Sequence, residues 1–188
     1  MFFLRWIEVI RERSKQRKIA HNLYFTTVNQ SRNPKFFQEL GVPDTLDGRF
    51  DLMILHVGLV LRRLRSAENE TTLSDALFSV MFDDLDQTVR EMGVGDIRVG
   101  KKVKAMARAF YGRCKVYDQA LDDNDLNGLI DALRRNIYGQ VSVNEEHLGI
   151  LGNYVVEVSS QLSLQRDNNL LSGEVIFPNI SLTFPGNS

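Results

Sequence analysis

The sequence predicts a mainly α protein, a single helical-bundle domain of about six to eight helices ending in a short extended or β-hairpin C-terminal tail. Three observations carry this. Apolar residues return every three or four positions through most of the chain. Cap and stop residues, among them Asn33-Pro34, Gly41, Gly93 and Asp125, punctuate that pattern at helix-length intervals. Beyond Gln165 the period changes, and "EVIFP" and "SLTFPG" are short, β-prone and limited by proline. With 188 residues, 43% hydrophobic and 25% charged, the chain can bury one core. The expected division is an amphipathic helix over 1–15, a helical domain over 16–165 and an extended tail over 166–188.

The first helix gathers Phe2, Phe3, Trp6, Ile7, Val9 and Ile10 on one side, with Arg5, Glu8, Arg11 and Glu12 on the other. A second, over 16–31, follows Ile19, Leu23, Tyr24 and Val28. Asn33 as cap and Pro34 as first helical residue open a short helix that stops at Gly41. After Val42-Pro43 a long helix runs from about Asp44 to Arg65, with the stripe Leu46, Phe50, Met53, Ile54, Val57, Leu61 and Leu64. Asp44, Asp47, Arg49 and Asp51 crowd its start, where carboxylates complement the free N–H groups, and Arg49 is placed to tie this end to a neighbour. "SAENETT" is a loop. Further helices are expected from Thr72 to Met92, ended by a left-handed Gly93, and from Asp96 to Leu121. Two more cover Asp125 to Gly139 and Asn144 to about Leu164.

Composition excludes several classes. The net charge of -1 gives no drive toward nucleic acid. It conceals a basic head, however: residues 1–18 carry six Lys/Arg against two Glu, so +4, and the remaining 170 residues carry 17 against 22, so -5. A lone Cys114 forms no internal disulfide, and His21, His56 and His147 lack metal-ligand spacing, so no metal or cofactor is expected. No run approaches the roughly 20 apolar residues of a membrane span. "MFFLRWIEVI" is a poor signal peptide because its charges follow the apolar run. A reducing, internal compartment is the expectation.

Two motifs imitate ligand loops. Gly95, Gly100 and Lys101 approximate a phosphate-binding loop, but position 102 is Lys where a magnesium-binding hydroxyl belongs, and the preceding segment is helical. The simpler reading is that Gly93 and Gly95 turn the chain, Asp96 caps the next helix, and Gly100 lets two helices approach. "DNDLNGLIDALR" imitates a calcium loop, but Arg134 stands where a bidentate Glu belongs. The simpler reading is an Asp125-capped helix with Leu126, Leu129, Ile130 and Leu133 facing inward. Asp51 and His56, five apart, lie on different helix faces. On the 96–121 helix, Lys101, Lys104, Arg108 and Lys115 fall within ~60° of one another, apart from the core arc Val99, Val103, Met106, Phe110, Cys114 and Tyr117. That stripe is a solvated face, a set of pairs with Asp83, Asp86 or Glu91, or a partner surface.

"GVPDTLDGRFDLMILHVGLVLRRL" (41–64), "LSDALFSVMFDDLDQTVREMGVGD" (73–96), "VGKKVKAMARAFYGR" (99–113) and the weaker "LRRNIYG" (133–139) resemble the ubiquinol–cytochrome c chaperone family, over about residues 35–140. The family-motif positions are Gly41, Pro43, Asp44, Asp47, Gly48, Arg49, Asp51, Gly93, Gly95, Asp96, Gly100, Gly112 and Arg113, with architectural roles. The resemblance implies a non-enzymatic assembly factor for the cytochrome bc complex. Mitochondrial members bind newly made cytochrome b, work with a small partner protein and associate with the ribosome. The short N-terminus, with no Arg/Ser-rich transit peptide, is more like a bacterial member, peripheral on the cytoplasmic face of the inner membrane.

A chaperone for a membrane protein needs an apolar groove with a polar rim. The wide apolar arc of the 72–92 helix nominates Phe78, Met81 and Phe82 as client-binding residues, with Lys101, Lys104, Arg108 and Tyr111 beside them; otherwise that helix is central and buried all round. Phe2, Phe3, Trp6 and Ile7, followed by Arg11 and Arg13, fit a segment lying on an anionic membrane surface, or a helix packed on the body. The alternatives from other classes are a helical enzyme or cofactor carrier with a pocket lined by His56, Tyr111 or Cys114, and a scaffold that shields nothing.

Overall fold

The computed structural model of the chain describes the backbone of residues 2–67, 71–139 and 141–181, and their side chains apart from those of 2–9 and 71. All regular structure among the described residues is helical: α1 (Phe2–Ser31), α2 (Pro34–Gln38), α3 (Leu46–Ser66), α4 (Thr71–Glu91), α5 (Asp96–Asp122), α6 (Leu126–Leu133), α7 (Glu145–Leu164) and α8 (Asp167–Leu171). A π-helical turn, Arg134–Tyr138, continues α6.

Local chemistry sets most boundaries. Asn33 accepts the N–H of Lys35 and Pro34 opens α2. The hydroxyl of Thr45, rather than Asp44, caps α3 by accepting the Gly48 N–H at 3.1 Å. Asp125 caps α6 through the Gly128 N–H at 2.9 Å, which occupies the carboxylate of the calcium-like motif. Gly41 and Gly93 take positive φ, +68° and +74°, where a side chain would be strained.

Four expectations need correction. The two N-terminal helices are one. No Gly or Pro separates residues 10 and 16, and Gln16 donates to Glu12 across the supposed gap at 2.9 Å. The helix buried on every side is α3, in which every residue from 51 to 61 is buried, and not α4, which exposes Asp75, Ser79, Asp83 and Gln87. A Cβ at Gly100 would meet nothing within 4 Å, so this glycine is no close-approach point; the contact of that kind is Gly58, where a Cβ would lie 2.7 Å from Cys114 Sγ. Asp96 is the first residue of α5 and not its cap, and it pairs with Arg90 at 2.7 Å.

The tail forms no strand among the described residues. Asp167–Leu171 makes one helical stretch, stopped by Gly173 at φ +89°, and residues 174–181 run without regular structure. The side chain of Gln165 takes the place of a strand partner: it accepts the Ile176 N–H at 3.0 Å and donates to the Ile176 carbonyl at 2.7 Å. Val175 and Ile180 are buried, which pins this segment to the core.

The other helices surround α3. Tyr24 of α1 donates to Asp84 of α4 at 2.7 Å and lies against Met53. On α5, Met106 lies near Phe50, Cys114 near Gly58 and Asp118 near Arg62, so α5 runs in the same direction as α3. On the far side, α7 sets Tyr154 against His56 and offers the Leu162 carbonyl to Arg63 at 2.8 Å.

Candidate functional site

Successive residues of α5 point ~100° apart, so one helix can serve the core and two surface recesses. Phe110, Cys114 and Tyr117 face the core. Lys102, Ala105, Met106, Ala109 and Arg113 line a cleft of about 630 Å3, closed on the other side by Pro43, Gly48, Phe50 and Asp51, and by the π turn with Ile137 and Tyr138. A second recess of about 280 Å3 adjoins it and shares Asp47, Phe50, Lys102 and Met106. Its walls hold Met53, Met92, Leu85 and Val89, with Arg32 and Arg49 at the rim. Together they form an apolar trough edged by charge, with three methionines able to adapt to varied shapes.

The local sequence builds this cleft. Gly48 is required because a Cβ there would lie 2.1 Å from the Pro43 carbonyl oxygen. That contact folds the "GVPDT" segment onto the first turn of α3. Asp44 and Arg49 pair at 2.6 Å, and the Arg49 guanidinium lies 5.7 Å from the Phe37 ring centre, tying α3 to α2. Gly139, at φ +58°, ends the π turn beside the cleft, and Tyr138 donates to the Leu40 carbonyl at 2.9 Å.

Asp51 is the unusual group. It is 6% exposed, lines the cleft, and has Arg113 within 3.0 Å of Oδ1, yet that oxygen accepts no hydrogen bond because the approach is off-axis. Burial pushes its carboxyl up to about 7; Arg113 opposes the rise and Asp47 adds to it. The hydroxyl of Tyr117 is also buried, with the Asn136 side chain close to it.

A different ledge holds the aromatic residues nominated from sequence. Phe78 and Phe82 are half-buried, 4.5 Å apart, with Phe78 also 5.3 Å from the exposed Tyr111. Met81 is fully buried and packs the core, so it cannot touch a docked chain. Lys101, Lys104, Arg108 and Lys115 are exposed and form no ion pair among the described residues; Asp83 pairs with Arg17 and Asp86 with Arg90 instead. Gly95 precedes α5 and Gly112 faces open space. Arg11 and Arg13 are exposed, whereas the side chains of Phe2, Phe3, Trp6 and Ile7 lie outside those described.

The residues of the alternative enzyme pocket do not converge. His56 is fully buried: its Nδ1–H donates to the Leu52 carbonyl at 2.7 Å, and Nε2 accepts from Tyr154, whose oxygen accepts from Gln30. Burial lowers the imidazole to about 4, so it is neutral. Tyr111 and Cys114 line a separate recess of about 480 Å3, and burial pushes the thiol up to about 12. A recess of about 660 Å3 between α3, α5 and α7 holds Arg62, Arg63 and Arg65, but these pair with Asp118, Asp122 and Asp167.

Comparison with known proteins follows this geometry. A family model described as ubiquinol-cytochrome C chaperone matches residues 38–177. Ubiquinol-cytochrome c reductase complex assembly factor 1 of Mus musculus is 30% identical over 159 residues, covering 83% of this chain and 53% of the relative. The protein of that name from Homo sapiens is 28% identical over 158 residues, covering 83% and 52%. The chain thus spans about half the length of these curated relatives. The crystal structure of the Cbp3 homolog from Brucella abortus shares the fold with a TM-score of 0.81 and 33% identity, over 93% of this chain and 97% of that one.

Proposed function

This chain belongs to the ubiquinol–cytochrome c chaperone family, and from that premise we propose that it is an assembly factor of the ubiquinol–cytochrome c reductase complex that holds newly made cytochrome b in the cleft beside α5. One observation carries the choice of cleft. Three of the sequence blocks that resemble the family meet there: Pro43, Gly48 and Asp51 from the first, Met106 and Arg113 from the third, and Arg135 to Gly139 from the last. The trough supplies what the task requires, apolar area for greasy side chains and a charged edge that stays hydrated.

No chemistry is needed in this reading. A client with apolar helices must be kept from aggregating until it inserts or pairs, and binding alone achieves that. The ledge of Phe78, Phe82 and Tyr111, with Lys101, Lys104 and Arg108 alongside, is a second contact surface in the same scheme. No described helix is long and apolar enough to cross a membrane. In this reading the chaperone meets its client from the cytoplasmic face of the inner membrane, with the basic N-terminal segment against anionic lipid.

The test fills the cleft without disturbing the core. Ala105 is exposed at the cleft wall, so Ala105→Trp adds bulk there at little cost to the fold. In cells lacking the gene, the wild type and the control Asn29→Trp, on the exposed side of α1, should restore the assembled complex. Ala105→Trp at equal abundance should not. Full restoration by Ala105→Trp would remove the cleft from the mechanism.

A further inference from the structure

The cleft contains more polarity than an apolar client side chain can use. The Asp51 side chain is 9% exposed, faces the cleft and accepts no hydrogen bond. Arg113 and Asn136 line the same cleft, as do Lys102 and Arg135, and neither Lys102 nor Arg135 forms an ion pair among the described residues. Oδ1 meets Arg113 in an ion pair at 3.0 Å without a hydrogen bond, so the carboxylate keeps acceptor capacity that a donor arriving with the ligand can use.

The class of donor can be narrowed. A cationic side chain would reach Asp51 but would face three cations, Lys102, Arg113 and Arg135, across the same space. The middle of an apolar helix has nothing to offer, because every N–H and C=O there is already paired within the helix. Free backbone groups remain only where a chain is not coiled, at helix ends and in connecting stretches. A peptide unit presents an N–H beside a C=O and carries no net charge. That matches a buried carboxylate with acceptor capacity to spare, flanked by donors on an apolar floor.

We propose that Asp51 accepts a backbone N–H, and Arg113 or Asn136 donates to a backbone C=O, from a non-helical stretch of the client, so that the cleft selects uncoiled apolar polypeptide. This rests on the cleft being the client site.

Short overlapping peptides covering cytochrome b, labelled with fluorescein, are titrated with the wild type, Asp51→Asn and Ala105→Trp by anisotropy. Asp51→Asn should weaken the tightest peptide about tenfold, the effect of exchanging a charge-assisted hydrogen bond for a neutral one. Backbone N-methylation at successive positions should then find one site that costs the wild type about tenfold more than it costs Asp51→Asn, whose amide oxygen still accepts but carries no charge. The scan on the wild type reads this contact without any variant. Equal N-methyl penalties in both proteins overturn the proposal. Binding abolished by Ala105→Trp but unchanged in Asp51→Asn overturns it too, and leaves the cleft reading intact. Binding unaffected by Ala105→Trp, or no binding of any peptide to the wild type, counts against both.

Discussion

Asp51→Asn should stabilise the free protein at pH 8 and lose that advantage toward pH 4. The carboxyl sits near pKa 7 in the fold, raised by burial, against 3.8 when unfolded. A group raised in this way supports the fold fully only below its unfolded pKa, and the support is lost as pH climbs through 7. That separation corresponds to about 4 kcal/mol at most. Arg113, 23% exposed, loses its partner in the variant but reaches water, so about 2 kcal/mol is a fair lower figure. For a chain of this length, ~1 kcal/mol moves Tm by about 2–4 °C, giving a rise of roughly 4–16 °C at pH 8. His56 acts in the opposite sense. Burial lowers it from 6.5 to about 4, so its support is complete above 6.5 and lost as pH falls through 4. The two trends oppose each other between pH 4 and 6.5 in the wild type, and Asp51→Asn should expose the steeper acid loss due to His56. Thermal unfolding followed by circular dichroism from pH 4.5 to 8 reads both effects. A lower Tm for Asp51→Asn at pH 8 would refute the reasoning, because it would make the Arg113 pair a net stabiliser.

Gly48→Ala should cost about 2–4 kcal/mol in urea unfolding, since its Cβ meets the Pro43 carbonyl at 2.1 Å, whereas Gly100→Ala, in open space, should gain up to ~1 kcal/mol. Equal effects at the two glycines would contradict the packing described. Tyr154→Phe should cost about 1–3 kcal/mol by leaving His56 Nε2 and Gln30 without their shared partner; an unchanged urea midpoint would show that water replaces the hydroxyl. Cys114 should resist a thiol reagent in the native protein and react promptly in denaturant, because its thiol is buried and raised to about 12; fast native labelling would refute that burial.

The helices were legible because caps and periodicity are local. Asn33-Pro34, Asp125 and Gly93 declare boundaries through their own backbones. What failed was non-local. A single stripe through "DLMILHVGLVL" understates its near-continuous apolarity, which signals a helix enclosed on all sides, as α3 is. Of the two forms open to the β-prone tail, extended or hairpin, residues 174–181 form no strand, and Gln165 takes both backbone groups of Ile176 from eleven residues away, which no local pattern announces. Asp51 and Arg113 were both singled out in the resembling blocks, yet the sequence could not show that they meet in one cleft. Phe78 and Phe82 are half-buried on another face, and the larger trough forms where α3, α5 and the π turn converge, which no single helix pattern announces. The pairing of His56 with Tyr154 spans ninety-eight positions and was invisible for the same reason.

Site-specific photo-crosslinking in growing cells addresses the central claim most directly. A photoreactive residue at Ala105, in the cleft, is compared with one at Asn29, which is exposed on α1 and lines neither recess of the trough. Cytochrome b captured from 105 and not from 29, during its synthesis, is the result expected. Equal capture from both sites, or none from 105 while the assembled complex still accumulates, would contradict a chaperone that works through this cleft.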